Sequence, residues 1–302
     1  MRLFLALALF ILTACEQGQD SQLAGDSETA GRAPLIYTVN YPLAWMAQQL
    51  AGDAARVMFP APAEDDPAFW QPDVATVLQY QQADLVLLNG ANYARWVANV
   101  SLPASRLVDT SAAYREQLIA VDSDPVHSHG PAGEHSHGEL AFTTWLDMGL
   151  AQLQLQAVTS ALQHLMPGES AVIEQRLAAL QQKLATMDQR LLATGRQLDD
   201  IPLLYSHPVY QYLQRRYHLN GRAVHWEPDK VPSETQWSAL ESLLRSHPAQ
   251  VMLWEAPPLP EVELRLNKLG VKTVVFSPMG NRPPQGDFNS GMVANIARLE
   301  QL

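Results

Sequence analysis

The apolar positions of this chain fall into two alternating sets separated by one long helical stripe. The first set opens with the apolar strand Leu35–Val39, then a helix around Ala44–Ala51, a strand at Arg56–Phe59 and a helix around Asp73–Gln81. A strand at Leu85–Asn89, a short helix around Tyr93–Val97 and a strand near Leu107–Val108 follow. Short apolar strands separated by helices predict a parallel sheet, because a strand covered on both faces reads as a continuous apolar run. Helical sequence resumes near Asp147 and continues to about Leu165, where Met166-Pro167-Gly168 interrupts it.

From Glu169 to Leu198 a single apolar stripe recurs every three or four residues: Ile173, Leu177, Leu180, Leu184, Met187 and Leu191. That is one face of a long helix. At 1.5 Å per residue it forms a rod of about 42 Å, longer than one domain needs. A second alternating set follows, with strands at Leu203–Ser206, Ala223–Trp226, Val251–Glu255 and Thr273–Ser277. Its helices fall at Tyr210–Tyr217, Ser233–Ser246, around Glu261–Leu269 and after Asn289. The predicted fold class is α/β: two lobes, each a parallel sheet flanked by helices, joined by one long backbone helix. The boundaries are 35–166 for the N-terminal lobe, 167–198 for the backbone helix and 199–302 for the C-terminal lobe. Ligands of open parallel sheets bind beyond the carboxyl ends of the strands, so the cleft between the lobes is the natural site.

The first residues change the picture. Arg2, the apolar run Leu3–Leu12 and the small residues after it make residues 1–14 a secretory signal. The run is too short for the roughly 20 residues that span a bilayer. Its end, Leu12-Thr13-Ala14-Cys15, resembles the lipobox of bacterial lipoproteins, which implies a lipid on Cys15, the only cysteine. Residues 16–34 are polar and read as a flexible tether. The expected location is the periplasmic side of a bacterial membrane. With 20 Lys and Arg against 31 Asp and Glu, a net charge of −11, the chain has no grip on nucleic acid or anionic lipid.

Residues 122–139 form a loop without apolar periodicity and carry His127, His129, His135 and His137, four of the nine histidines. Two His-Ser-His pairs about a Gly-Pro turn can fold back to bring imidazoles together, which would suit zinc, copper or nickel. The chain has no nucleophile elbow, no phosphate-binding loop and no His-Glu-x-x-His, so catalysis is not expected.

Several stretches carry a resemblance: NYPLAWMAQQLAGD after the first strand, DDPAFWQPD, ADLVLLNGANYARWV, the histidine loop, TTWLD, SHPVYQYLQRRY and FSPMG. In this order they resemble the solute-binding lipoproteins of zinc and manganese ABC transporters, over most of residues 35–302. The resemblance implies capture of Zn2+ (or Mn2+) in the interlobe cleft, a histidine loop that gathers metal, delivery to an ABC permease in the inner membrane by a monomer, and only a small hinge motion. It also implies a ligand set that this chain has mostly lost. Ala68, Thr143 and Ser277 stand at three of the usual positions, and only His207 is kept. A tetrahedral zinc site takes at least three His, Cys or carboxylate ligands, so other groups must contribute or the cargo is not a bare ion. Candidates are Glu227, Asp229 and Glu255, near strand ends, with Glu227 and Asp229 alternatively capping the helix at Ser233. His225, Trp70, Trp145, Trp226 and Tyr210 are further candidate wall residues. The sequence alone expects most metal binding to reside in the histidine loop. It leaves two other roles open on the same fold: a periplasmic metal chaperone or sensor, and a receptor for a chelated metal or small organic solute.

Overall fold

The computed structural model describes residues 32–121 and 139–302. Cys15 and the four loop histidines, His127, His129, His135 and His137, lie outside the described residues.

The N-terminal lobe begins with β1 (Leu35–Thr38), α1 (Tyr41–Ala51), β2 (Arg56–Met58), α2 (Val74–Gln82), β3 (Leu85–Leu88) and β4 (Leu107–Asp109). A two-residue pair, β5 (Ala120–Val121) and β6 (Glu139–Leu140), is antiparallel and leads to α3 (Met148–Leu165). After a turn at Pro167–Glu169 comes α4 (Ser170–Leu198). The C-terminal lobe holds β7 (Pro202–Tyr205), α5 (Gln211–Tyr217), β8 (Asn220–Ala223), α6 (Glu234–Ser246), β9 (Val251–Trp254), α7 (Pro260–Lys268), β10 (Lys272–Val275) and α8 (Phe288–Leu299).

Both four-stranded sheets are parallel, and they share one topology. The first runs β2-β1-β3-β4; the second, read from its other edge, runs β8-β7-β9-β10. In each, the chain leaves the first strand toward one edge and then returns to its other side. The strand order therefore reverses between β1 and β3, and again between β7 and β9, which is where such sheets open a crevice.

Caps fix most helix starts. Asn40, Asp73 and Asp147 accept backbone N–H groups at α1, α2 and α3, while Ser233 and Asp287 form capping boxes at α6 and α8. Ser233 with Gln236 thus does the capping that Glu227 and Asp229 were alternatively expected to do.

Helix α4 is 29 residues long, about 44 Å. The predicted stripe is its buried face, and that face touches α1 and α3 of one lobe and α5 and α8 of the other. Each leucine so buried contributes about 1.5–3 kcal/mol relative to exposure. Gly195 lets α4 come close to α5, since a Cβ there would stand 2.2 Å from the Tyr217 carbonyl oxygen. The main core cluster runs without interruption from Ile36 through Leu184 to Leu253 and Ile296, so one core serves both lobes.

Polar contacts stitch the lobes together along the seam. The Trp145 indole donates to the Pro278 carbonyl at 2.6 Å, Tyr41 N–H to the Gly280 carbonyl at 3.0 Å, and Asn281 Nδ2 to the carbonyls of Pro62 and Asp65 at 2.5 and 2.8 Å. Tyr212 Oη donates to the Ala141 carbonyl and accepts from Ile119 N–H, which ties the root of the β5–β6 pair to α5. Asp147 and Asp188 flank Arg216, with a bidentate pair to Asp188.

Strand β8 begins three residues earlier than the apolar pattern suggests. Its Asn-Gly-Arg start is an accessible edge with no apolar signal, while the Val224 and Trp226 amides still bond to Tyr205 and Ser206.

Candidate functional site

The carboxyl ends of β7, β8 and β9 bring three ionisable side chains together. His207 follows β7 in the turn Ser206-His207-Pro208, held by Ser206 N–H to Leu253 O and Trp226 N–H to Ser206 O. Glu255 is the first residue past β9, and Glu227 lies in the loop after β8. His207 Nδ1 stands 3.3 Å from Glu255 Oε1, and Nε2 stands 4.0 Å from Glu227 Oε1. The imidazole is wedged between two carboxylates. The Nδ1 contact is close enough for charge attraction but misdirected for a hydrogen bond, and that nitrogen is buried without a hydrogen-bonded partner. His225 meets the His207 ring edge-on at 6.0 Å.

The N-terminal lobe supplies the fourth group, Asp66, in the loop between β2 and α2. Its Oδ1 accepts Ala68 N–H at 2.9 Å, closing a tight turn that fixes the carboxyl. Solvent reaches Asp66, yet protein crowds it on most sides, as expected in a concave site. Burial raises its pKa above the usual carboxylate value and Glu255 and Glu227 raise it further, against the lowering pull of the Ala68 N–H and of His207. For His207, burial alone would lower the pKa; the nearby Glu255, then Glu227 and Asp66, outweigh it and raise it above 6.5. Four groups from both lobes thus act on one another across the cleft.

Other expected wall residues do structural work instead. Tyr210 is fully buried and donates to the Phe276 carbonyl at 2.7 Å. Trp226 is packed against Trp237 and Trp254, and Trp145 is spent on Pro278. Trp70 stacks edge-on to Trp96 and covers the small cluster of Ala44, Phe59 and Ala61. The Thr143 hydroxyl donates to the Val209 carbonyl, so it cannot face a ligand. Ser277 accepts Met279 N–H through Oγ, and its own backbone is clamped by Asn295. Asp229 is exposed. Asp66 is the residue that sequence reasoning missed; its only signal was an aspartate before proline in the loop after β2.

The donor set is right in kind for a divalent cation: one imidazole and three carboxylates, with an orphaned buried nitrogen. As the side chains stand, no three His, Cys, Asp or Glu among the described residues converge on one point. A separate cavity of about 500 Å3 lies wholly in the N-terminal lobe, lined by Leu88, Tyr93, Arg95, Asp109 and Phe142 among others. No helix among the described residues is long and apolar enough to cross a membrane.

Two sheets of one topology facing a cleft, with charged groups contributed by both, define a two-lobed solute-binding protein. The sequence profile of the family described as zinc-uptake complex component A, periplasmic, matches residues 36–302, and the chain belongs to that family. It is thereby an extracytoplasmic binding component of a metal-uptake system that works with an ABC permease. The chain is 24% identical over 279 residues to the high-affinity zinc uptake system protein ZnuA of Bacillus subtilis (strain 168), covering 91% of this chain and 87% of the relative. Among solved structures, the metal-dependent lipoprotein YcdH from Bacillus subtilis superposes with a TM-score of 0.76 at 19% identity, covering 89% of this chain and 98% of that one. The Zn(II)-bound ZnuA-like domain of Streptococcus pneumoniae AdcA gives 0.74 at 21% identity, with 90% and 98% covered.

Proposed function

We propose that this chain is the lipid-anchored receptor of a zinc importer: it takes the ion between its lobes at His207 and is held near its permease by acylated Cys15. The observation that carries the reading is that Glu255 and Glu227 flank His207 at 3.3 and 4.0 Å at the topological switch point, within electrostatic reach of Asp66, in a member of a zinc-uptake family. The chemistry required is modest. His207 offers a neutral imidazole, and the carboxylates offset the charge of the cation. Closing the site removes water, which strengthens each of these attractions.

The histidines at 127, 129, 135 and 137 serve as a collector in this reading. Their segment leaves the fold at Val121 and re-enters at Glu139, on strands whose root is tied to α5 through Tyr212. Thr143, close beyond that root, bonds to Val209, two residues from His207. Ions held loosely by the segment are thus released close to the cleft.

Calorimetry with Zn2+ on chelator-stripped protein tests the reading. Deletion of residues 126–138 is expected to remove the weaker equivalents and leave one, which His207→Ala then abolishes. This differs from the expectation drawn from sequence alone, and what supports it is that Glu227 and Glu255 lie beside His207, with Asp66 within electrostatic reach. If the deleted chain binds no zinc, the cleft is not the site and the histidine segment holds the metal alone.

A further inference from the structure

The cavity of about 500 Å3 in the N-terminal lobe shares no lining residue with the groups around His207. Its size falls within the range of about 300–1,000 Å3 that holds a small organic molecule. Leu88 and Asp109, the last residues of β3 and β4, pair in the sheet and both line it. The space therefore opens at the carboxyl ends of a parallel sheet, where such folds take ligands. Residues from 90–98, together with Leu140 and Phe142, supply the rest of the lining.

The walls are held apart by the fold itself. Asn89 is fully buried, and its Nδ2 donates to the Phe142 carbonyl at 3.0 Å and the Gly90 carbonyl at 3.3 Å. Its Oδ1 accepts from Asn40 and Gln154 at 3.0 and 3.1 Å, so one fixed side chain ties two parts of the lining together. Gly90, Ala91, Asn92 and Ala94 all have φ between 51° and 73°. For the two alanines that left-handed backbone is costly, and such strain collects at binding sites. Gly90 leaves room for Asp109 and Ser111, which a Cβ there would strike.

Rings and charge describe the occupant. Phe142 meets Tyr93 edge-on at 5.3 Å and Phe69 at 6.0 Å. With Leu88, Val97 and Leu140, these rings suit a flat aromatic body. Arg95 is exposed, with its guanidinium 5.6 Å from the Phe69 ring centre. The carboxylate of the lining, Asp109, already accepts Ser111 N–H at 2.9 Å, Ser111 Oγ at 2.7 Å and Arg115 at 3.4 Å. Arg95 and Arg115 against Asp109 make this spot positive, in a chain whose net charge is −11. A guanidinium grips a carboxylate through two parallel N–H groups.

We propose that this cavity is a second binding site, for a small aromatic carboxylate whose ring lies against Tyr93 and Phe142 and whose carboxylate meets Arg95. Metal plays no part in it.

Fluorescence titration of the full chain with 2-naphthoate, in the presence of a chelator, tests the proposal. The expected result is one saturable equivalent, with the uncharged 2-naphthamide at least about tenfold weaker, because the bond to the charged group is lost. Arg95→Gln should weaken 2-naphthoate by a similar factor and leave 2-naphthamide unchanged. Ala98→Phe, which fills the cavity from an exposed position, should abolish binding of both. Both variants should keep the circular dichroism spectrum and melting temperature of the parent. His207→Ala should change nothing, so this site and the zinc reading stand or fall separately. Equal binding of acid and amide would overturn the carboxylate assignment, and indifference to Ala98→Phe would put the probe outside the cavity. If 2-naphthoate does not bind the full chain, or binds only once residues 122–138 are deleted, the proposal fails.

Discussion

The charge state of His207 is set by its neighbours, and that makes it measurable. Glu255 is the nearest carboxylate, so Glu255→Gln should move the imidazole titration toward lower pH, as read from the ring C–H resonances. An unmoved titration would mean that the pair does not form in solution. The sign of the stability effect follows from the raised pKa. A base whose folded pKa exceeds its unfolded value of 6.5 contributes stability that is complete below that value and disappears as pH rises through the folded pKa. The metal-free protein should therefore gain stability from this group at about pH 6 relative to about pH 8, and Glu255→Gln should shrink that gain. The place of His207 at the cleft was legible from its motif, and those of Glu227 and Glu255 from their positions at strand ends. Asp66 was not, because an aspartate before proline reads first as a turn residue, and only the folded chain brings it within electrostatic reach of Glu255 and His207.

At the level of elements, the periodic helices and doubly covered strands were legible because each is defined by local burial. Edge strand β8 was displaced because an exposed edge needs no apolar residues. The aromatic residues near the cleft were misjudged for a related reason. Sequence places Tyr210, Trp145 and Trp226 near strand and helix ends, but not which way they turn, and all three turn inward to hold the seam or the core. Helix α8 offers a test of such a junction. Burial alone would raise the pKa of Asp287, but hydrogen bonds from Ser290 and from the Trp45 indole outweigh it and lower it below 3.8. Its contribution is thus present above the unfolded pKa and lost as pH falls through the folded one. Asp287→Ala should cost about 1 kcal/mol near neutrality and flatten the acid limb of the stability curve, measured by urea midpoints. In α4, Leu184→Ala should cost about 2–5 kcal/mol in urea denaturation, since the residue is fully buried and its loss leaves a cavity in the shared core.

The whole molecule has two lobes by topology and one by packing. Residues Ala33–Leu302 form a single compact unit, and the main core continues across the seam. Sequence patterning showed the two sheets and the connecting helix but could not show that they share an interior, because apolar periodicity records that a face is buried and not against what. Differential scanning calorimetry should accordingly show one transition with equal calorimetric and van't Hoff enthalpies. Two separable transitions would contradict a shared core.

The stripe on α4 has a further consequence for traffic at the permease. A receptor whose halves are pinned to one rod keeps nearly the same outline whether it is empty or loaded. Empty copies should then occupy the permease's docking face almost as well as loaded ones. Uptake would depend on the fraction of receptors carrying cargo rather than on their number, and flooding a transport assay with unloaded protein should slow it by simple competition.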